Sequence, residues 1–152
     1  MNESHVPEVA ILEKNCFSIP WSERMFYDEM KHDHAVYFIA QTEFAAAVQT
    51  QKIVGYAGLW HIINEGQITN IAVAPEYRRQ GIGQMLLDAL ARYAGEYEMV
   101  GLTLEVSINN EPAQRLYTKN GFKIEGIRKD YYSDTHEDAI IMWKKFNRAG
   151  EE

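Results

Sequence analysis

At 152 residues, 46% hydrophobic and 24% charged, the chain fits one compact domain able to bury a sizeable core. Lys and Arg total 15 against 22 Asp and Glu, a net charge of -7; such a surface repels nucleic acid and anionic membranes and suits a basic substrate, though it serves solubility equally well. A lone cysteine, Cys16, excludes an internal disulfide framework, and no run approaches a membrane span or a basic-then-apolar leader, so a cytoplasmic location is expected.

The first two segments read as helices. Pro7–Cys16 places Val9, Leu12 and Cys16 on one stripe, with Pro7 suited to a first turn. Ser22 caps a second helix to about Lys31, and Trp21 before the cap is placed to pack on Phe26. Strands follow at Ala35–Gln41, Lys52–Ile63 and Gly66–Ala74, rich in Val, Ile, Tyr and Phe, the last after an Asn64-Glu65-Gly66 turn. Thr42–Gln51 fits either a loop or the long end of a hairpin. From Ile82 apolar or small residues recur at Met85, Leu86, Ala89, Leu90, Tyr93, Ala94 and Tyr97, the period of an amphipathic helix. Leu102–Val106 returns to alternation, with Thr103 and Glu105 on the other face. A short helix over Glu111–Asn120 carries Ala113, Leu116 and Tyr117 together and ends at Gly121. Phe122–Tyr132 and Ala139–Phe146 close the chain as an antiparallel pair. The order predicts one mixed α/β domain over residues 1–152, its last few residues a disordered tail. Parallel pairing is expected between Ile68–Ala74 and Leu102–Val106.

The stretch Ile71-Ala72-Val73-Ala74-Pro75-Glu76-Tyr77-Arg78-Arg79-Gln80-Gly81-Ile82-Gly83 carries the chemistry. A strand runs out, two arginines sit in the turn, and two glycines open a long helix. Gly81 and Gly83 leave backbone amides uncovered, while the helix start and Arg78 and Arg79 add positive charge. The result is a pyrophosphate cradle that needs no metal. A lone G-x-G is more often only a softened turn. The dinucleotide fingerprint is disfavoured because its third glycine position is Leu86, and no G-x-x-x-x-G-K-[ST] loop is present.

On these residues the chain resembles the Gcn5-related N-acetyltransferase (GNAT) superfamily over roughly Trp21–Phe146. The resemblance implies a mixed, mostly antiparallel twisted sheet with a central splayed parallel strand pair flanked by helices. It also implies acetyl-coenzyme A as co-substrate, with the pyrophosphate at Arg78, Arg79, Gln80, Gly81, Ile82, Gly83 and Gln84. Ile19-Pro20-Trp21-Ser22, Ile68–Val73, Leu104-Glu105-Val106, Asn109-Asn110, Ala113, Leu116-Tyr117, Gly121-Phe122, Arg128-Lys129, Tyr131-Tyr132 and Glu137–Met142 together resemble RimI-type ribosomal-protein-alanine N-acetyltransferases. The expected reaction is acetyl transfer to the N-terminal α-amine of a basic ribosomal-protein tail. A small amine or a lysine is the alternative acceptor, and a silent acyl-coenzyme A-binding module the alternative class.

Acetyl transfer needs a neutral amine, a stabilised oxyanion and a proton for the departing thiolate. Glu105 stands opposite the apolar face of its strand. It could be an exposed strand-end residue, but the resemblance makes it the base. Tyr117 could be a core aromatic; the resemblance makes it the acid. Asn110 is either a helix cap or a cofactor contact, and backbone amides around Ile71, Ala72 and Val73 are expected to hold the acetyl carbonyl. Trp21, Tyr131, Tyr132, Asp134, Glu137 and Asp138 are candidates to line the peptide groove. Two departures stand out: Ser107 replaces the arginine usual after Leu-Glu-Val, and the family's first strand is missing or truncated. His32-Asp33-His34 and His136-Glu137-Asp138 lack a third ligand at a recognisable spacing and read as solvated turns. Cys16 reads as core.

Overall fold

The computed structural model describes residues 1–43 and 50–147. After a 3₁₀ turn at Glu3–His5 the elements are α1 (Val6–Cys16), α2 (Glu23–Glu29), β1 (Ala35–Gln41), β2 (Ile53–Ile62), β3 (Glu65–Val73), α3 (Ile82–Glu96), β4 (Gly101–Ser107), α4 (Glu111–Lys119), β5 (Lys123–Arg128) and β6 (Ala139–Lys145). The sheet order is β1-β2-β3-β4-β6-β5, antiparallel except for β3 with β4. Among the described residues no strand precedes α1. The ambiguous Thr42–Gln51 stretch and the expected C-terminal tail fall largely outside the described residues. The chain divides into two compact units: Met1–Trp60 with Thr69–Leu90, and His61–Ile68 with Ala91–Glu152.

In the first unit the α1 stripe buries Val6, Val9, Ala10 and Leu12 against Phe26, Tyr37, Ile53, Tyr56, Ala72 and Ala74. Ser22 caps α2 through Met25 N–H at 3.3 Å, and the Trp21 ring lies 5.4 Å from Phe26. Sequence periodicity did not reveal two carboxylates sunk in this core. Glu13 accepts hydrogen bonds from the Tyr56 hydroxyl and from Trp21 N–H, and Glu29 accepts them from the Tyr37 hydroxyl and Trp60 Nε1. The Tyr37 and Tyr56 rings stack at 6.4 Å, so the two clusters share a wall. Burial pushes the Glu13 carboxyl up from its ordinary value, with the Tyr56 and Trp21 hydrogen bonds working against that shift. Gly58 is required here, because a Cβ would collide with the Tyr37 ring.

In the second unit β4 pairs β6 from Gly101↔Lys145 to Ser107↔Ala139, and β5 flanks β6 with a register shift between Ile124 and Gly126. Leu102, Leu104 and Val106 are buried, as the alternation predicts, with Ile140, Met142, Tyr117 and Phe122. Thr103, Glu105 and Ser107 lie on the opposite face at intermediate exposure. The parallel register is Glu65↔Gly101, Gly66↔Leu102 and Gln67↔Thr103. It therefore sits at the strand starts and not along Ile68–Ala74, because periodicity names neighbouring strands without showing where their backbones stop pairing. β5 ends at Arg128, earlier than its sequence pattern suggests. The polar run from Lys129 to Asp138 turns back on itself, with positive φ at Asp130 and His136.

Candidate functional site

In the first unit β3 runs into a 3₁₀ turn at Pro75–Tyr77, then an exposed loop, then α3. Arg78 Nε donates to the Val73 carbonyl at 3.0 Å and the Cys16 thiol lies 3.5 Å from the same oxygen, which fixes the end of β3. The Cys16 thiol is half-buried and its pKa is pushed up by burial, consistent with a packing role. Arg79 and Gly81 adopt left-handed backbone at φ 60° and 83°. A non-glycine there costs on the order of 1 kcal/mol or more, and such outliers gather at ligand-binding turns. The first α3 bond runs from Met85 N–H to the Gly81 carbonyl at 3.0 Å, so Ile82 and Gly83 present N–H groups with no acceptor inside the helix. Nothing lies within 4 Å of a Cβ built on Gly81. Positively polarised amides, an open approach and the exposed Arg79 suit a pyrophosphate. Gly83→Asp puts a carboxylate on the second helical residue. It is expected to weaken coenzyme A binding by tenfold or more, about 1.4 kcal/mol, in titration calorimetry. Unchanged affinity would relocate the cradle.

In the second unit Glu105 leaves the face of β4 opposite the aliphatic core, with its side chain 13% exposed. Its carboxylate Oε1 accepts from Arg128 Nε at 3.2 Å. Tyr117, on the inner face of α4, is 9% exposed and packs on Phe122 at 5.7 Å. Burial first, then the neighbouring Tyr132, push its phenol up to about 12. Tyr132 is also raised to about 12, by burial and then by Tyr131, Glu105, Glu137 and Asp134. Tyr132, in the β5–β6 turn, thus lies within electrostatic reach of Glu105 on β4, of its neighbours Tyr131, Asp134 and Glu137, and of Tyr117 on α4.

That turn is organised by its own acids. The Glu137 carbonyl accepts from the N–H groups of Tyr131 and Tyr132 at 3.0 and 3.3 Å, and its carboxylate accepts from the Ser107 hydroxyl. Asp138 Oδ1 accepts from Asp130 N–H at 2.8 Å, and His136 Nδ1 lies 2.8 Å from Asp130 Oδ1. Glu137 and Asp138 therefore shape the turn that presents Tyr131, which is 47% exposed. Ser107, in place of the expected arginine, holds Glu137 through a hydroxyl. Asn110 caps α4 by accepting from Ala113 N–H at 3.3 Å. Trp21 lies in the first unit, where its N–H is tied to Glu13. His32 and His34 stack on each other at 5.1 Å, and among the described residues no three His, Cys, Asp or Glu side chains could hold a metal ion. The Arg128 pairing with Glu105 escaped the sequence reading, whose only hint was the Arg128-Lys129 pair inside the broader resemblance.

Residues 6–122 match the model of the acetyltransferase (GNAT) family. A Bacillus subtilis (strain 168) protein named provisionally as a ribosomal protein bS18-alanine N-acetyltransferase is 37% identical over 148 residues, 97% of this chain and 93% of its own. The Escherichia coli (strain K12) ribosomal protein bS18-alanine N-acetyltransferase is 32% identical over 144 residues, 93% of this chain and 92% of its own. The crystal structure of the E. coli ribosomal-protein-S18-alanine N-acetyltransferase superposes with a TM-score of 0.85 at 32% identity, covering 100% of this chain and 94% of that one.

Proposed function

The chain belongs to the acetyltransferase (GNAT) family, and from that premise we propose that it transfers acetyl from acetyl-coenzyme A to the N-terminal α-amine, an alanine, of a ribosomal protein. The observation that carries the chemistry is the sheltered Glu105 carboxylate sharing its surroundings with the buried, protonated Tyr117 phenol. Identities of 37% and 32% over nearly the full chain to proteins named for alanine N-acetyltransferase activity support the acceptor. The matched stretch 6–122 draws on both units, which supports reading the chain as one acetyltransferase domain.

Acetyl-coenzyme A supplies a thioester carbon open to attack by an amine. The amides of the Arg79–Gln84 turn and Arg78 and Arg79 anchor its pyrophosphate, and backbone around Ile71–Val73 holds the acetyl oxygen as negative charge develops there. Glu105 takes the proton that the acceptor nitrogen gives up as the new C–N bond forms. Tyr117 gives its hydroxyl proton to the sulfur as the C–S bond breaks. Tyr131, Tyr132 and Asp134, with Glu137 and Asp138 shaping their turn, receive the peptide. An acceptor of this kind and a thioester donor support a cytoplasmic location for the reaction.

An alanine-starting basic peptide is expected to gain one acetyl group at its α-amine, read by mass spectrometry, and the same peptide with that amine blocked is expected to gain none. The net charge of -7 predicts that kcat/KM falls between about 0.1 M and about 1 M salt, where the screening length drops from about 10 Å to about 3 Å. Acetylation of the blocked peptide would move the acceptor to lysine. Absence of turnover with every peptide and free amine would leave only an acyl-coenzyme A-binding module.

A further inference from the structure

We infer that Arg128 is a positioning residue for acetyl transfer, holding the Glu105 carboxylate by one oxygen so that the other faces the acceptor nitrogen. The inference rests on the reading of Glu105 as the base and adds to it a residue that acts through the base.

The strand ladder sets the geometry. Glu105 lies opposite Ile141 on one side of β6, and Arg128 lies opposite Ala139 on the other. Directly paired antiparallel residues share a face, so the two side chains project on the same side, one step apart along β6. On that face of β6 the residue beside Arg128 is the small Ala139, and Ile141 beside Glu105 is flanked on its other side by Gly126. The guanidinium therefore crosses β6 and meets Oε1 through Nε at 3.2 Å.

The contact is one-sided. Arg128 is the only hydrogen-bond partner of Glu105 among the described residues, and it engages one oxygen of two. A carboxylate sheltered to 13% exposure has little water to fix its rotamer, and a fixed cation at one oxygen leaves the second as the basic edge. The stabilisation of the fold by this pair is small, because the Arg128 side chain is 54% exposed and solvent screens the charge. Its consequence lies in orientation, where displacing a catalytic group by about 1 Å costs up to about a hundredfold in rate.

The test is a double-mutant cycle with the purified full chain, acetyl-coenzyme A and the alanine-starting peptide. Arg128→Gln is expected to lower kcat about tenfold or more, with the KM for acetyl-coenzyme A and the thermal midpoint unchanged. Arg128→Lys, which keeps the charge, is expected to recover part of the loss. In a Glu105→Gln background Arg128→Gln is expected to cost nothing further, since the base it positions is gone. Multiplying losses, a rise confined to the peptide KM, or an unchanged kcat would each overturn the role of Arg128 while leaving Glu105 as the base. A normal kcat for Glu105→Gln alone would overturn the base, and this inference with it.

Discussion

Tyr117→Phe is expected to lower the rate of acetyl transfer by about a hundredfold or more, the usual contribution of a positioned general acid. The ring would keep its contact with Phe122 at 5.7 Å, so the fold and the affinity for acetyl-coenzyme A should hold. The phenol in place is suited to its task because burial pushes it up to about 12. It therefore stays protonated throughout the neutral and mildly alkaline range. Its deprotonation would cut the rate only as pH rises through that value, so no alkaline limb below about pH 11 should trace to Tyr117. Single-turnover measurement of acetyl transfer against pH checks both points. An unchanged rate, with chemistry shown to be limiting, would reduce Tyr117 to a core aromatic.

Glu105→Gln is expected to depress turnover by about a hundredfold to ten-thousandfold near neutral pH. Glutamine has nearly the shape of glutamate and can still contact Arg128, so the loss reports proton transfer rather than packing. The deficit should shrink as pH rises above about 8, because hydroxide then increasingly takes the proton that Glu105 would remove from the attacking nitrogen. Parallel pH profiles of kcat/KM for parent and variant measure this. A deficit that stays constant at every pH would mean that Glu105 acts by binding the acceptor.

Local signals were legible from the residues alone. The period switch at Ile82 marked α3, the Ser22 cap started α2, the Leu102–Val106 alternation put Glu105 on the polar face, and Gly121 ended α4 with φ 89°. The backbone of the Arg78–Gly83 turn was legible because glycines announce left-handed geometry, as φ 83° at Gly81 bears out. Partnerships made across the chain were not. Glu105 and Arg128 are 23 residues apart, and Tyr56 and Glu13 are 43 apart, so no window of periodicity contains both members. Glu13 and Glu29 carry no local sign of burial, since nothing nearby in the sequence says that an aromatic hydroxyl or an indole N–H awaits each one. The Tyr131–Asp138 stretch looked like a strand end followed by a substrate groove. Its acids also hold the turn itself together, as the bonds to Glu137 and Asp138 show.

The two buried carboxylates constrain the order in which this chain can drift. Removing one member of a buried hydrogen-bonded pair strands the other at a cost of about 1–3 kcal/mol, whereas replacing both by apolar groups of similar shape can be close to neutral. Tyr56→Phe alone leaves Glu13 with the Trp21 amide as its remaining donor, and a change at Trp60 alone leaves Glu29 with Tyr37. Viable lineages should therefore lose or keep each acid together with its aromatic donor. A descendant that has lost Glu13 is expected to carry phenylalanine at position 56 more often than tyrosine. The stacked rings of Tyr37 and Tyr56, 6.4 Å between centroids, make the two sets neighbours, so a change that shifts one ring narrows what the other cluster can accept.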